Sequence, residues 1–339
     1  MFKIYNNFII PRKLKKSILL IGNFDGLHLG HQKVCNEAKK YKKKHKLKLG
    51  VLTFNPLPVM FFNNKMKNYR LTNDSQKFIL LKKMGVDFVI NKRFNLKFSK
   101  IKSEKFIKNI IVKKIDPKFI FVSNNFRYGN KRKGDVKELI TESKKYGFNV
   151  IKTEPLRIKK KVVSSTSIRD LLRKGKIKKA NKLLSRNWVI NGDVQKGRQL
   201  GKKLGFPTCN IDINNYILAK PGVYSIKVII DESKKILNGI AYLGYRPTFE
   251  GKKLLLEVNL FGFNGNLYKK TLNVYFFNFI RRDKKFKNKI SLITQMKKDL
   301  TKAKLDLKKK IILWQKKIWI YPKHLFQWGP TYLKKNQIS

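Results

Sequence analysis

Short, nearly continuous apolar runs alternate with stretches whose apolar residues recur at helical spacing through the first half of the chain. Ser17-Ile18-Leu19-Leu20-Ile21, Gly50-Val51-Leu52-Thr53-Phe54 and Lys118-Phe119-Ile120-Phe121-Val122 have the length and composition of buried strands. Between them, Lys33 to Lys40 with Val34 and Ala38, Ser75 to Lys83, and Glu104 to Lys114 read as helices. This alternation predicts a parallel sheet with crossover helices. Ligands of such sheets lie at the carboxyl ends of the strands, where Asn23, Asn55 and Asn125 fall.

A helix over Ile168 to Leu184 closes this region, and the pattern changes near Ser185. Trp188-Val189-Ile190, Gly222 to Ile230, Ile240 to Leu243, Leu254 to Phe261 and Leu272 to Phe279 are short β-rich runs, with turns such as Asn264-Gly265-Asn266. They predict a small antiparallel barrel, closed by a helix over Ile290 to Lys304. The expected divisions are 1–185, 186–305 and a tail, 306–339.

Where the first strand feeds its helix, Ile21-Gly22-Asn23-Phe24-Asp25-Gly26-Leu27-His28-Leu29-Gly30-His31-Gln32 sets two of the chain's four histidines three residues apart. His28 and His31 then share a face at the helix start, where unpaired backbone N–H groups and the positive dipole end favour an anion. Gly30 would let a ligand approach the backbone, and neutral imidazoles donate N–H groups to phosphate oxygens. The plainer reading is a glycine turn with incidental histidines. Later, Val163-Ser164-Ser165-Thr166-Ser167-Ile168-Arg169 opens another helix. Its hydroxyls cap that helix and can also reach phosphate, and Arg169 adds a charge-assisted fork.

The HxGH element after GxFDG resembles the ATP site of the nucleotidylyltransferase superfamily, and Ser164 to Arg169 has the form of the segment that completes it. The second half carries Gly197-Arg198-Gln199-Leu200-Gly201-Lys202-Lys203-Leu204-Gly205-Phe206-Pro207-Thr208-Cys209-Asn210, then Pro221-Gly222-Val223-Tyr224, Gly244-Tyr245-Arg246-Pro247-Thr248-Phe249 and Leu256-Glu257-Val258. These look like the kinase half of the bacterial bifunctional riboflavin kinase/FAD synthetases, whose adenylyltransferase module resembles the first half here. The resemblance implies a nucleotidylyltransferase-type, Rossmann-like α/β domain followed by a riboflavin kinase-like β-barrel. It further implies phosphorylation of riboflavin to FMN and adenylylation of FMN to FAD, with ATP and Mg2+.

Residue by residue, Gly22, Phe24, Gly26, Gly30, Asn55, Asn125, Ser164, Ser165 and Thr166 are then expected at the adenylyltransferase nucleotide site, with His28, His31 and Arg169 stabilising charge. In the kinase half, Gly197, Arg198, Gly201, Gly205 and Pro207 are expected around the phosphates. Thr208 and Asn210 offer neutral oxygens suited to magnesium. Glu257 is implied as the base that takes the proton of the ribityl 5′-hydroxyl. The two histidines could instead hold a metal, but the third ligand of a zinc site is not evident.

The chain also departs from the family pattern. Leu57 stands in Thr53-Phe54-Asn55-Pro56-Leu57-Pro58 where His is common, and Ser123 replaces a frequent Gly. Asn259 and Gly262 stand where His and Asp are common, and Cys209 replaces Ala. The alternative readings are a riboflavin kinase with a decayed adenylyltransferase site, or an RNA-associated nucleotide-binding protein.

Composition changes little. At 339 residues, 80 Lys+Arg against 20 Asp+Glu give a formal +60, which alone would suggest nucleic acid or an acidic membrane. The lysines are spread among abundant Asn, Ile and Phe, as an AT-rich genome would produce, so the expected partners are small-molecule substrates and no dedicated nucleic acid. Two cysteines, Cys35 and Cys209, make no framework and suit a reducing cytoplasm. No apolar run approaches the roughly 18 residues of a spanning helix, so no membrane is expected, and a monomer or weak homo-oligomer is. The tail interleaves Trp314, Trp319 and Trp328 with lysines. It reads either as a base- or membrane-contacting segment or as an extra docked helix.

Overall fold

The apolar runs of the first half form one parallel sheet whose central strand, β2 (Ile18–Ile21), is buried along its whole length. The computed structural model describes residues 2–63, 66–195, 205–213, 215–233, 235–248 and 251–308. It divides into two units, the first drawn from Met1–Lys174, Lys179–Arg186 and Asn214–Leu218 and the second from Gly175–Lys178, Asn187–Ile213 and Ala219–Ser339. Gly197, Arg198 and Gly201 lie outside the described residues, as does the tail beyond Lys308 with its three tryptophans.

The sheet also contains β1 (Lys3–Tyr5), β3 (Leu49–Asn55), β4 (Phe88–Arg93), β5 (Phe119–Ser123) and β6 (Asn149–Thr153), in the order β1-β4-β3-β2-β5-β6. The order reverses at β2, with β3 on one side and β5 on the other. That reversal opens a crevice at the carboxyl ends of these two neighbours.

Helix α1 (Leu29–His45) begins one turn earlier than the periodicity alone suggests, because His28 caps it. Two short helices, α2 (Pro58–Phe62) and, after α3 (Asp74–Lys83), α4 (Leu96–Ser99), flank the same end of the sheet. The helix expected over Glu104 to Lys114 is α5 (Ser103–Lys105) running into a π-helical stretch, Phe106–Ile115. There Phe106, Ile110, Ile111 and Ile115 recur every four or five residues and share one buried face under i→i+5 bonding. After α6 (Val136–Tyr146) comes the small ribbon β7 (Arg157–Ile158) and β8 (Lys161–Val162). The helix expected over Ile168 to Leu184 is instead two, α7 (Ser165–Arg173) and α8 (Ile177–Leu184). Between them Gly175 takes a left-handed φ of 70°, which ends α7.

In the second unit β9 (Val189–Gln195), β10 (Cys209–Asp212), β11 (Gly222–Ile230), β12 (Leu237–Thr248), β13 (Gly251–Leu260) and β14 (Thr271–Arg282) close a barrel in the order β10-β13-β12-β11-β14-β9. Every neighbouring pair among them is antiparallel. Trp188, Tyr224 and Phe276 fill its interior, with ring centroids 4.7 and 5.1 Å apart. Helix α9 (Lys289–Lys308) packs Ala303 against Val223 and Ile280, and its buried Asp299 accepts from Arg281 at 2.8 Å.

Gly50 in β3 is fixed by space: a Cβ there would lie 2.2 Å from the Phe88 ring of β4. Gly50→Ala should therefore destabilise the first unit by about 1–3 kcal/mol, the usual range for overpacking. Urea unfolding followed by a probe in that unit is the check.

Candidate active sites

The chain leaves β2 through a turn so tight that Phe24, Gly26 and Leu27 all take left-handed φ, at 48, 79 and 38°. It enters α1 with His28 as the N-cap. The Nδ1 of His28 accepts the His31 backbone N–H at 3.4 Å, which leaves its proton on Nε2, available to donate. The two imidazoles stack with centroids 3.8 Å apart. Burial, with Arg186 and Arg169 nearby, pushes the His28 pKa down to about 4. Burial, His28 and the same two arginines hold His31 well below the usual range. Both rings are thus neutral donors at pH 7. Gly30 has a further local cause beside the one the sequence suggests: its Cβ would sit 3.0 Å from the His28 ring and 3.1 Å from the Val163 carbonyl. The missing side chain makes room for the capping imidazole and for the approach to α7.

Asp25, in the same turn, is buried and accepts from the N–H groups of Leu71 at 2.9 Å and Thr72 at 3.2 Å, and from Arg169 Nη2. Arg169 also donates Nε to the Tyr69 carbonyl at 2.8 Å and lies 3.7 Å above the Tyr69 ring. The guanidinium expected to reach out to phosphate is therefore committed, through two of its nitrogens, to holding the turn. Ser164 caps α7 in a reciprocal pair with Ser167, and the Ser165 hydroxyl donates to the Asp25 carbonyl at 2.8 Å. Thr166 stays exposed in the first turn of α7.

Arg186 completes this frame, donating to the carbonyls of Gly26 at 2.6 Å and Leu184 at 3.0 Å. Gln32 bonds the Leu27 carbonyl at 2.9 Å and the Ser185 hydroxyl at 2.8 Å. Sequence reasoning missed both residues. A lone arginine carries no signal in a chain with 80 basic residues.

A cavity of about 1240 Å3 opens at the crevice. Its lining includes His28, His31, Gly30 and Ser164 to Thr166, so the first turns of α1 and α7 converge on it. Phe54, Phe62, Phe94, Phe98 and Phe126 line it too. Gly22, Phe24, Asn23, Asn125 and the buried Leu57 also line the cavity, whereas Gly26 does not and serves the turn. Asn55, expected at the site, is absent from the lining. Arg70 reaches across from Asp74, bonded at 2.8 Å, and donates to Asn55 Oδ1 at 2.5 Å.

In the barrel, the β10–β13 register sets Asn210 directly opposite Glu257, and Cys209 opposite Val258. Alternation puts Val258 with Leu256 toward the core and Glu257 with Asn210 on the other face. Glu257 is buried, and the Asn210 side-chain oxygen is buried with no hydrogen-bond partner. Thr208 stands two residues before Asn210, after the left-handed Gly205. The Pro207 carbonyl accepts from Asn259 Nδ2 at 2.7 Å. Pro207, Thr208 and Cys209 border a smaller pocket of about 450 Å3. Among the described residues no group of three His, Cys, Asp or Glu is placed to hold a metal, and no helix is long and apolar enough to cross a membrane.

Comparison with known proteins matches residues 10–167 to the FAD synthetase family and residues 184–307 to the riboflavin kinase family. A bifunctional riboflavin kinase/FMN adenylyltransferase of Buchnera aphidicola is 40% identical over 84% of this chain and 92% of its own length. Its namesakes from Haemophilus influenzae and Escherichia coli are 36% and 33% identical over 86% and 83% of this chain, and 95% and 90% of theirs. A crystal structure described as a macrolide-efflux protein from Streptococcus pneumoniae superimposes with a TM-score of 0.76 at 28% identity, covering 89% of this chain and 98% of that one.

The buried histidines predict a pH dependence with a definite sign. Their folded pKa values are depressed, so the unfolded chain binds protons first; this stability is complete above pH 6.5 and is lost as pH falls through about 4 for His28. NMR titration should find the His28 imidazole neutral down to about pH 4. In Arg186→Met it should titrate higher, since a neighbouring positive charge is gone. An unchanged midpoint would show that the Arg186 charge is not felt at the ring.

Proposed function

The chain belongs to the bifunctional riboflavin kinase/FMN adenylyltransferase family, and from that premise we propose which of its residues carry each reaction. The protein phosphorylates riboflavin to FMN with ATP, and joins FMN to the adenylyl group of ATP to give FAD and pyrophosphate.

Adenylyl transfer is assigned to the large cavity of the first unit. The observation that carries this is the convergence of two helix N-termini on the neutral, stacked His28 and His31. An FMN phosphate oxygen attacks the α-phosphorus of ATP, and pyrophosphate leaves in line. No covalent bond to the protein is needed, so catalysis consists of holding two polyanions together and stabilising the charge that builds on the phosphoryl oxygens. His28 Nε2–H, the open N–H groups at the starts of α1 and α7, and Thr166 supply the donors. Arg169 positions them through Asp25 and Tyr69. The aromatic lining residues offer flat apolar faces for a flavin ring.

Phosphorylation is assigned to the β10–β13 face of the barrel. Glu257 takes the proton of the riboflavin 5′-hydroxyl as it attacks the γ-phosphorus of ATP. The unpartnered, buried Asn210 oxygen and the Thr208 hydroxyl two residues before it are the kind of neutral oxygens a magnesium ion accepts while keeping most of its waters. When bound there, magnesium neutralises phosphate charge. The division of labour follows 1–185 and 186–305. Two free thiols suit a reducing cytoplasm. We infer a cytoplasmic monomer or weak homo-oligomer acting on small molecules, without a dedicated nucleic acid or membrane partner.

The two sites should separate by mutation. Glu257→Gln should cut FMN formation by roughly 10²-fold or more, the scale of a lost general base, and leave FAD formation from supplied FMN intact. His28→Ala should do the reverse. Turnover assays with riboflavin or FMN as sole flavin decide it, and wild-type FMN formation in Glu257→Gln refutes that role. Thr208→Ala and Asn210→Ala should each raise the magnesium concentration needed for half-maximal kinase rate. Unchanged titrations in both would reduce these residues to shaping the turn.

A further inference from the structure

Residues 215–217 lie inside the stretch matched to riboflavin kinase, yet they belong to the first compact unit. The Asn215 carbonyl accepts the N–H groups of Tyr69 at 3.1 Å and Arg70 at 2.8 Å, and the Ile217 N–H is donated to the Arg70 carbonyl at 2.7 Å. Asn68 Nδ2 donates to the Tyr216 carbonyl at 3.1 Å, and the two segments run parallel through a bridge between Arg70 and Tyr216. Tyr216 and Ile217 are buried.

The paired segment is the one that builds the adenylyltransferase frame. Tyr69 holds Arg169 with its carbonyl and its ring, and Leu71 and Thr72, just beyond Arg70, give their N–H groups to Asp25. Apart from its bridge to Tyr216, the stretch from Asn68 to Thr72 belongs to no helix or sheet, so its conformation depends on such outside partners. We propose that Asn215, Tyr216 and Ile217 form a strap that positions Tyr69 and Arg70, and through them Arg169 and Asp25, for adenylyl transfer. The kinase half of the sequence thereby supplies positioning residues to the other reaction. This rests on the assignment of the His28–His31 cavity to that reaction.

Asn215 offers a handle, because its φ is 71°, a region glycine adopts freely and a β-branched residue avoids. In the full-length protein, Asn215→Val and Ile217→Pro, which removes the N–H given to Arg70, should lower kcat for FAD formation by about 10–10²-fold, as small misplacements do. FMN formation by the same preparations should stay near wild type. Asn215→Gly should restore FAD formation. Amide exchange at Tyr69 and Arg70 should speed up in Asn215→Val and not in Asn215→Gly.

Should the strap variants not fold, Asn68→Ala loosens the same pairing from the other side and should lower FAD formation alone. Unchanged FAD formation alongside faster exchange at Tyr69 and Arg70 overturns the strap, as does equal loss of both reactions in Asn68→Ala. A His28→Ala protein run in parallel separates the two ideas. If it makes FAD at the wild-type rate, the site assignment fails and takes the strap with it; if it makes none while the strap variants work normally, only the strap fails.

Discussion

Asp25 sits inside the first unit with only 4% of its side chain exposed, and Arg169, 5% exposed, is its ion-pair partner. Burying two charges is unfavourable unless both are fully hydrogen-bonded, and removing one partner of such a pair typically costs about 3–5 kcal/mol. Here the surroundings meet that condition. The carboxylate takes backbone N–H groups from Leu71 and Thr72, and the guanidinium is spread between Asp25, the Tyr69 carbonyl and the Tyr69 ring. Three distant parts of the chain, the turn before α1, the stretch around Tyr69 and the start of α7, must meet before either charge is satisfied. The cavity inherits its shape from that requirement, because the same three parts place His28, His31 and Thr166 around one space.

The electrostatics of this site run against the character of the chain. With a formal charge of +60, phosphates are attracted to the protein as a whole, so a further cation at the site would add little selectivity. The site instead keeps its two histidines neutral by burial and by the nearby arginines. A neutral imidazole whose Nδ1 caps a helix presents one directed N–H, and the helix starts present more. Long-range charge attracts anions to the whole surface, whereas the dipoles of these N–H groups are directed and act only at short range.

The strands were legible because parallel strands buried on both faces write themselves as apolar runs, and β2, β3 and β5 fall within a residue of the runs that predict them. The histidine pair and the Ser164 cap were legible because local chemistry dictates both. Asn55 looked like a ligand residue from its place at a strand end, but a long arginine arriving from fifteen residues away claims its oxygen. Gly30 lines the cavity, and the close approach of His28 and Val163 adds a packing reason for it that the sequence does not show. The break at Gly175 hides in a pattern whose apolar spacing continues across it. Arg186, Tyr69 and Asn215 act through backbone groups far away in sequence, which leave no periodic or motif trace.

Positions where the chain departs from its family's usual residues can be weighed by what the structure gives them to do. Cys209 faces the side of β10 opposite to Asn210, and burial pushes its thiol up to about 12, so it behaves as the small apolar residue it replaces. Asn259 donates to the Pro207 carbonyl, which steadies the turn that leads to Thr208. Leu57, at the cap of α2, is buried in the cavity wall and extends its apolar surface. Ser123 ties down the Asn125 side chain at 2.9 Å, an interaction a glycine could not make. None of these substitutions removes a donor from the convergence of α1 and α7 or breaks the Asn210–Glu257 pairing. They alter the cavity wall and the turn before β10, while His28, His31 and the starts of α1 and α7 keep their arrangement.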